Sequence, residues 1–240
     1  MAFVHGKDGL TLLNKNSIAA DVRAWTVTHK REISDTTAQG DQGARGIPGL
    51  MEGTIEVEGH FNSAATRIHA TVNTTVGVDN DLNVTIWPEG GVVGKPALFA
   101  KCDTKEWEVE AEVKDAVKLT FEGEAHGMVD IGTSHHNLGA ETATGNVASV
   151  DNAASSANGG AALLHVTAVS GTTPTLTVKI QHSTDDSVWA DLITFTEATA
   201  STYEFTELAA GTTVNRYTRA THTIGGSSPS FTYAVSFARR

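Results

Sequence analysis

Hydrophobic and polar residues alternate along much of the first half of this chain. In KEWEVEAEV (105–113), Glu106, Glu108, Glu110 and Glu112 interleave with Trp107, Val109, Ala111 and Val113. Such a period of two predicts a half-buried strand with all four carboxylates on one face. Same-face neighbours sit roughly 7 Å apart, where repulsion in water is about 0.6 kcal/mol per pair. GTIEVEGHFN (53–62) repeats the pattern, with Glu56 and Glu58 opposite Ile55, Val57 and Phe61. AVKLTFEGEAHG (116–127) repeats it again with Glu122 and Glu124. Three acidic strands fit an antiparallel sheet with one apolar and one wet face. On a bland reading, Lys101, Lys114 and Lys118 offset the acids by cross-strand pairing.

Other strands are expected at 11–18, 21–34 (with Trp25 and Val27 on one side) and 82–87. One helix is expected over SAATRIHATV (63–72), with Ser63 as N-cap and Ala64, Ile68 and Val72 at helical spacing. TTAQGDQGARGIPG (36–49) has four glycines and a proline and reads as a long mobile loop. Asp79-Asn80-Asp81 reads as a turn. From residue 145 onward short strands alternate with turns at SGTTP, STDDS, LAAGT and GGSSP, the pattern of a β-sandwich. STDDSVW (183–189) partly matches an Asp-box hairpin, with Trp189 entering the core. The change of texture at IGTSHHN sets expected boundaries: a domain over 1–131, an exposed linker over 132–136 and a second domain over 137–240. The expected fold class is mainly β.

The chain has 240 residues and a net charge of −11. Residues 1–134 carry 12 basic against 20 acidic residues (−8), and the remainder 5 against 8 (−3). That balance disfavours tight electrostatic binding of nucleic acid. A single cysteine, Cys102, excludes an intrachain disulfide framework. No apolar run is long enough for a membrane helix and no signal peptide is evident, so no membrane partner is expected. No motif for a catalytic centre appears, and no cofactor is expected. His135 and His136, being adjacent, point to opposite sides of a strand and cannot readily chelate one metal together. His29, His60 and His126 sit on separate strands. No metal site is expected.

The order of elements, with the stretch Pro48, Gly49, Leu50, Gly53, Ile55, Val57, Gly59, Phe61, Asn62, resembles the tail tube (major tail) proteins of long-tailed bacteriophages. The resemblance covers roughly residues 1–130. LHVTAVSGTTPTLTVKIQHSTDD, VNRYTRA and GGSSPSFTYAVSFAR resemble a domain appended to such proteins in phages of Gram-positive hosts. The resemblance implies a structural virion protein, not an enzyme: a tail-tube β-sandwich or barrel with one short helix, and a β-sandwich on the tube exterior. It implies hexameric rings stacked into a hollow tube, assembled in the bacterial cytoplasm. The implied partners are the tape measure, tail terminator and distal tail proteins, with genomic DNA passing through unbound. It also implies that Glu56, Glu58, Glu106, Glu108, Glu110, Glu112, Glu122 and Glu124 line the lumen. The segment Gln39, Gly40, Asp41, Gln42, Gly43, Ala44, Arg45, Gly46, Ile47, Pro48, Gly49 and Leu50 then reaches the adjacent ring. An outward second domain would obstruct a sheath, so a non-contractile tail is expected. The competing class is a two-domain carbohydrate-binding protein, for which Tyr203, Tyr217 and Tyr233 are available; a glycan-binding second domain also fits within the tube reading.

Overall fold

A computed structural model describes residues 5–79 and 81–240. Asn80, the middle of the expected 79–81 turn, lies outside the described residues. The fold is mainly β. After a 3-10 turn come β1 (Leu10–Leu13), β2 (Asn16–Ser17), β3 (Val22–Asp35), β4 (Gly46–His60), α1 (Ile68–Asn73), β5 (Leu82–Trp87), β6 (Pro96–Glu110) and β7 (Lys118–Ala125). The chain continues through β8 (Asp130–Glu141), β9 (Gly145–Asn146), β10 (Val150–Asp151), β11 (Gly160–Ser183), β12 (Ala190–Thr194), β13 (Thr202–Leu208) and β14 (Tyr217–Arg239).

In the first half, β3, β4, β7 and β6 lie side by side, each antiparallel to the next. Ile55, Val57, Leu119 and Phe121 turn one face of this sheet onto a core that includes Leu82, Val84, Ile86 and Cys102. Burial pushes the Cys102 thiol up to about 12, which makes it unreactive. The helix is shorter than its sequence suggests. Its N-cap is Arg67 rather than Ser63, and Asn62 Oδ1 instead accepts from the Ala64 N–H. Ile68 and Val72 still seat it on the core.

The second half is a sandwich made by folding two very long strands. β11 and β14 pair from Gly160↔Arg239 to Ser183↔Tyr217. Their outer portions face the same core, where Leu164, Val166 and Tyr233 meet Val178, Ile180 and Ala220. SGTTP and GGSSP, expected as turns, are kinks inside these strands. Gly171 and Gly226 have φ of +117° and +109°, and Thr173 and Ser228 follow with φ of 47° and 48°. The two kinks interlock: a Cβ on Gly171 would lie 2.8 Å from Ser228 O, and one on Gly226 2.7 Å from Thr173 O. Strands that cross from one layer to the other need such bends at the corner.

Residues 132–136, expected as an exposed linker, lie within β8, which pairs with β6 on one side and β14 on the other. Ser134, His135 and His136 are buried. Their polar groups are satisfied internally: Ser134 Oγ donates to Gly91 O, and His135 Nε2 lies 2.8 Å from Thr218 Oγ1. Polar side chains can therefore sit in a core strand here. A third apolar cluster joins Leu12, Trp87, Ala97 and Phe99 to Ala161, Leu163, Ala234 and Ala238 across the halves. His165 reinforces this seam: Nδ1 donates to Asn14 O, and Nε2 lies 2.7 Å from Thr85 Oγ1. Arg240 Nε and Nη2 donate to the buried Asp130 carboxylate at 2.8 and 2.9 Å.

Two predictions follow from this packing. Burial holds both His135 and His165 down at about 4 against a reference near 6.5. A depressed pKa means the unfolded chain takes up the protons first. Stability is therefore full above about pH 6.5 and falls as pH drops through about 4, by about 3 kcal/mol per histidine. Urea titrations at stepped pH should show this loss, and His165→Gln should remove part of it. Separately, Gly171→Ala and Gly226→Ala should each cost about 2 kcal/mol in chemical denaturation, because each forces strain at a positive φ.

Candidate functional site: an acidic sheet face and a projecting ribbon

Directly paired residues share a face, so the registers place each glutamate. Glu56, Glu122 and Glu106 form one row across β4, β7 and β6. Glu58, Thr120 and Glu108 form the next, and His60, Lys118 and Glu110 the one after. Glu124 lies opposite Thr54 at the other end. Seven of the eight candidate glutamates thus share the face opposite the core. Glu112 does not join them. β6 ends at Glu110, and the Glu112 carbonyl instead accepts from the Asp115 N–H in the turn that follows. The alternation in sequence runs on past the point where pairing stops. Val109, on the apolar side of the pattern, is 41% exposed because it too lies at this frayed end.

The row Glu56–Glu122–Glu106 puts like charges directly opposite one another, which costs below about 0.8 kcal/mol per contact in water. Lys105 sits at a bulge between Thr104 and Glu106 and answers part of this charge. Its Nζ donates to Glu122 Oε1 at 2.9 Å. That bond, then the Glu122 charge, pushes the ammonium pKa up. Lys118 pairs with Glu110 at 3.6 Å and Arg23 with Glu58 at 3.6 Å. Lys118 was expected to offset these acids; Lys105 and Arg23 were not. Lys105 belongs to the same run as the glutamates, and only a bulge could bring it onto their face.

Among the described residues, both lateral edges of this four-stranded sheet are open. β3 pairs only with β4. β6 carries β5 on one side as far as Cys102, after which that side is unpaired through Glu110. β3 and β4 then continue together beyond β7 as a two-stranded ribbon, with Asp35 paired to Gly46 at its end. The expected loop Gln39–Leu50 is therefore divided. Gln39, Gly40, Asp41, Gln42, Gly43, Ala44 and Arg45 form the tip, whereas Gly46, Ile47, Pro48, Gly49 and Leu50 are strand. Asp35 Oδ1 accepts from Thr37 N–H and Oγ1–H, Asp41 Oδ2 accepts from Ala38 N–H, and Arg45 pairs with Asp41 at 3.4 Å. The glycines suggested a loop throughout, but strand pairing extends over Gly46–Leu50, and short polar contacts bridge the tip. Ile33, Ile47 and Leu50 on the ribbon are 68%, 62% and 79% exposed.

The tyrosines considered for sugar binding do not form a platform. Tyr233 is fully buried against His136, Tyr203 donates to Asp81, and Arg216 lies over Tyr217. Trp189 is half-buried under the Arg219 guanidinium rather than in the core. The Asp185 carboxylate accepts from the Val188 and Ser187 N–H groups and holds this hairpin. Among the described residues no three His, Cys, Asp or Glu side chains are arranged to hold a metal ion.

No protein family profile matches the chain, and no curated protein matches it. Among solved structures it is similar to a chain in the virion of a native gene transfer agent particle, at 16% identity and a TM-score of 0.42 over 53% of this chain and 97% of that one. It is similar to a chain of the SPP1 tail tube at 14% identity and 0.41, over 53% and 78%. It is also similar to the SPP1 Dit protein, titled a hub of the adsorption apparatus in phages infecting Gram-positive hosts, at 9% identity and 0.38, over 96% and 99%. Likenesses of this size carry no functional conclusion.

Because the acids crowd one another in the isolated chain, Glu56→Gln and Glu106→Gln should leave stability unchanged or raise it by up to about 0.8 kcal/mol. Thermal melts at low and high salt test this, and any gain should shrink in salt.

Proposed function

We propose that this protein is a tail tube subunit of a long-tailed bacteriophage. The observation that carries the reading is the four-stranded sheet itself: open at both edges, acidic on one face, apolar on the other. Strand directions alternate through β3, β4, β7 and β6. An even number of alternating strands lets β6 of one copy meet β3 of the next in antiparallel pairing, so a ring of copies closes with no edge left exposed. Taking six copies from the resemblance, strands ~4.8 Å apart and tilted ~40° give a backbone diameter of about 48 Å. Side chains reduce the bore to roughly 38 Å, still wider than a DNA duplex.

In this ring the core side faces outward. Glu56, Glu58, Glu106, Glu108, Glu110, Glu122 and Glu124 then line the channel. A negative wall repels phosphates, and a duplex sliding past makes few ion pairs to break. The wall also excludes tight binding, in keeping with a conduit. The ribbon, with its exposed Ile33, Ile47 and Leu50, extends along the tube axis to the adjacent ring. The second half (137–240), welded to the side away from the acidic face, stands outside. That placement fits a non-contractile tail, and leaves the outer domain free to touch host-surface glycans. Tape measure, tail terminator and distal tail proteins are the partners such a tube meets.

Negative-stain electron microscopy of the concentrated protein tests the reading. Hollow tubes or six-fold rings are expected, and Glu108→Lys with Glu110→Lys should leave the fold intact while changing DNA passage in assembled particles. Protein that stays monomeric even with tail-initiation components added would overturn it.

A further inference from the structure

The acidic sheet carries an unpartnered feature at each pole. At one pole, the turn joining β6 to β7 (111–117) presents Val113 with its side chain wholly in solvent, beside the exposed Val109 and Val117. An apolar tip of this kind gains nothing by staying in water. At the other pole, where the ribbon leaves the sheet, a groove of about 410 Å³ is lined by Lys30, Leu50, Glu52, Lys105, Glu122 and Glu124, among others. Leu50 is 79% exposed there.

Two pairs of opposite charges complement one another across the two features. Lys105 and Lys118 already have partners in Glu122 and Glu110. Among the described residues, Lys30, Glu52 and Glu124 at the groove and Glu112, Lys114 and Asp115 on the turn are in no ion pair. The turn reads acid, apolar, base, acid over Glu112–Asp115, and the groove offers Lys30, Leu50 and Glu52. Because the two features sit at opposite ends of one sheet, contact between them is head-to-tail and propagates rather than closing on itself.

We propose that the β6–β7 turn of one copy seats in the ribbon-root groove of a second copy. Val113 packs on Leu50, Glu112 meets Lys30, and Lys114 meets Glu52. The proposal rests on the stacked-ring reading above and assigns the receiving surface between successive rings. It also gives Glu112, which misses the acidic face, a place in assembly.

The test is a disulfide across the contact. The full chain carrying Leu50→Cys and Val113→Cys together is oxidised at assembly concentration; Cys102 is buried and stays silent. A ladder of multimers on a non-reducing gel is expected, collapsing with reductant. Each single variant should give nothing larger than a dimer. In the double-cysteine chain, Glu112→Lys should weaken the ladder and adding Lys30→Glu should restore it. Tubes by electron microscopy without a ladder would overturn this contact and leave the tube reading standing. Absence of both tubes and ladder, with tail-initiation components added, would overturn both.

Discussion

Strand β6 sets the architecture, because it belongs to two environments in succession. Its first residues, Pro96–Phe99, pair with β8, and Leu98 and Phe99 are held between β8 and β5 at the seam between the halves. After Cys102 it loses β5, has β7 as its one partner among the described residues and becomes the outer strand of the acidic sheet. The handover depends on close approach. Gly123 lies under Cys102, where a Cβ would come within 3.1 Å of the Cys102 and Leu82 side chains. A larger residue there would push β7 away at the point where the wall begins. One continuous strand thereby transmits the position of the second half to the acidic face, with no hinge between them.

The seam itself is polar as well as apolar. Trp87, Phe99 and Leu163 supply contact area, while His165, Asn14 and Thr85 fix register across it. Buried hydrogen bonds add little net stability when made, but leaving them unmade is costly. They therefore select one docking angle out of the many that small apolar residues such as Ala161, Ala234 and Ala238 would tolerate. Tyr203 bonding to Asp81 and Arg240 bonding to Asp130 and Glu207 repeat the device at two other points. Burial raises the Asp130 carboxyl, and the hydrogen bonds and charge of Arg240 oppose that shift.

Much of the sheet was legible in the sequence because alternation is a direct imprint of a one-sided core. Ile55, Val57, Leu119 and Phe121 could be placed on the same face from spacing alone. What spacing cannot show is where pairing stops, which is why Glu112 and Val113 read as strand. Composition misled in two further places. Gly46–Leu50 looked mobile because glycine and proline are common in loops, yet an extended ribbon accepts both when its other edge is free. Residues 132–136 looked exposed because they are polar, and their partners, such as Thr218, lie far away in sequence. The kinks at Gly171 and Gly226 carry true turn chemistry, and only tertiary pairing reveals that the chain bends there without reversing. No single segment announces the open edges, since an edge is defined by a missing neighbour.

The order of synthesis gives the split between the halves a temporal meaning. The acidic sheet is complete once Ala125 has been made, but β8 must wait for the end of β14 at Arg239, more than a hundred residues later. At ~5–20 residues per second that interval is on the order of 10 s. Throughout it, as in the finished chain, both edges of the described sheet stay unpaired. The crowded glutamates on the same sheet give any two copies a mutual repulsion across that face, during synthesis and after it.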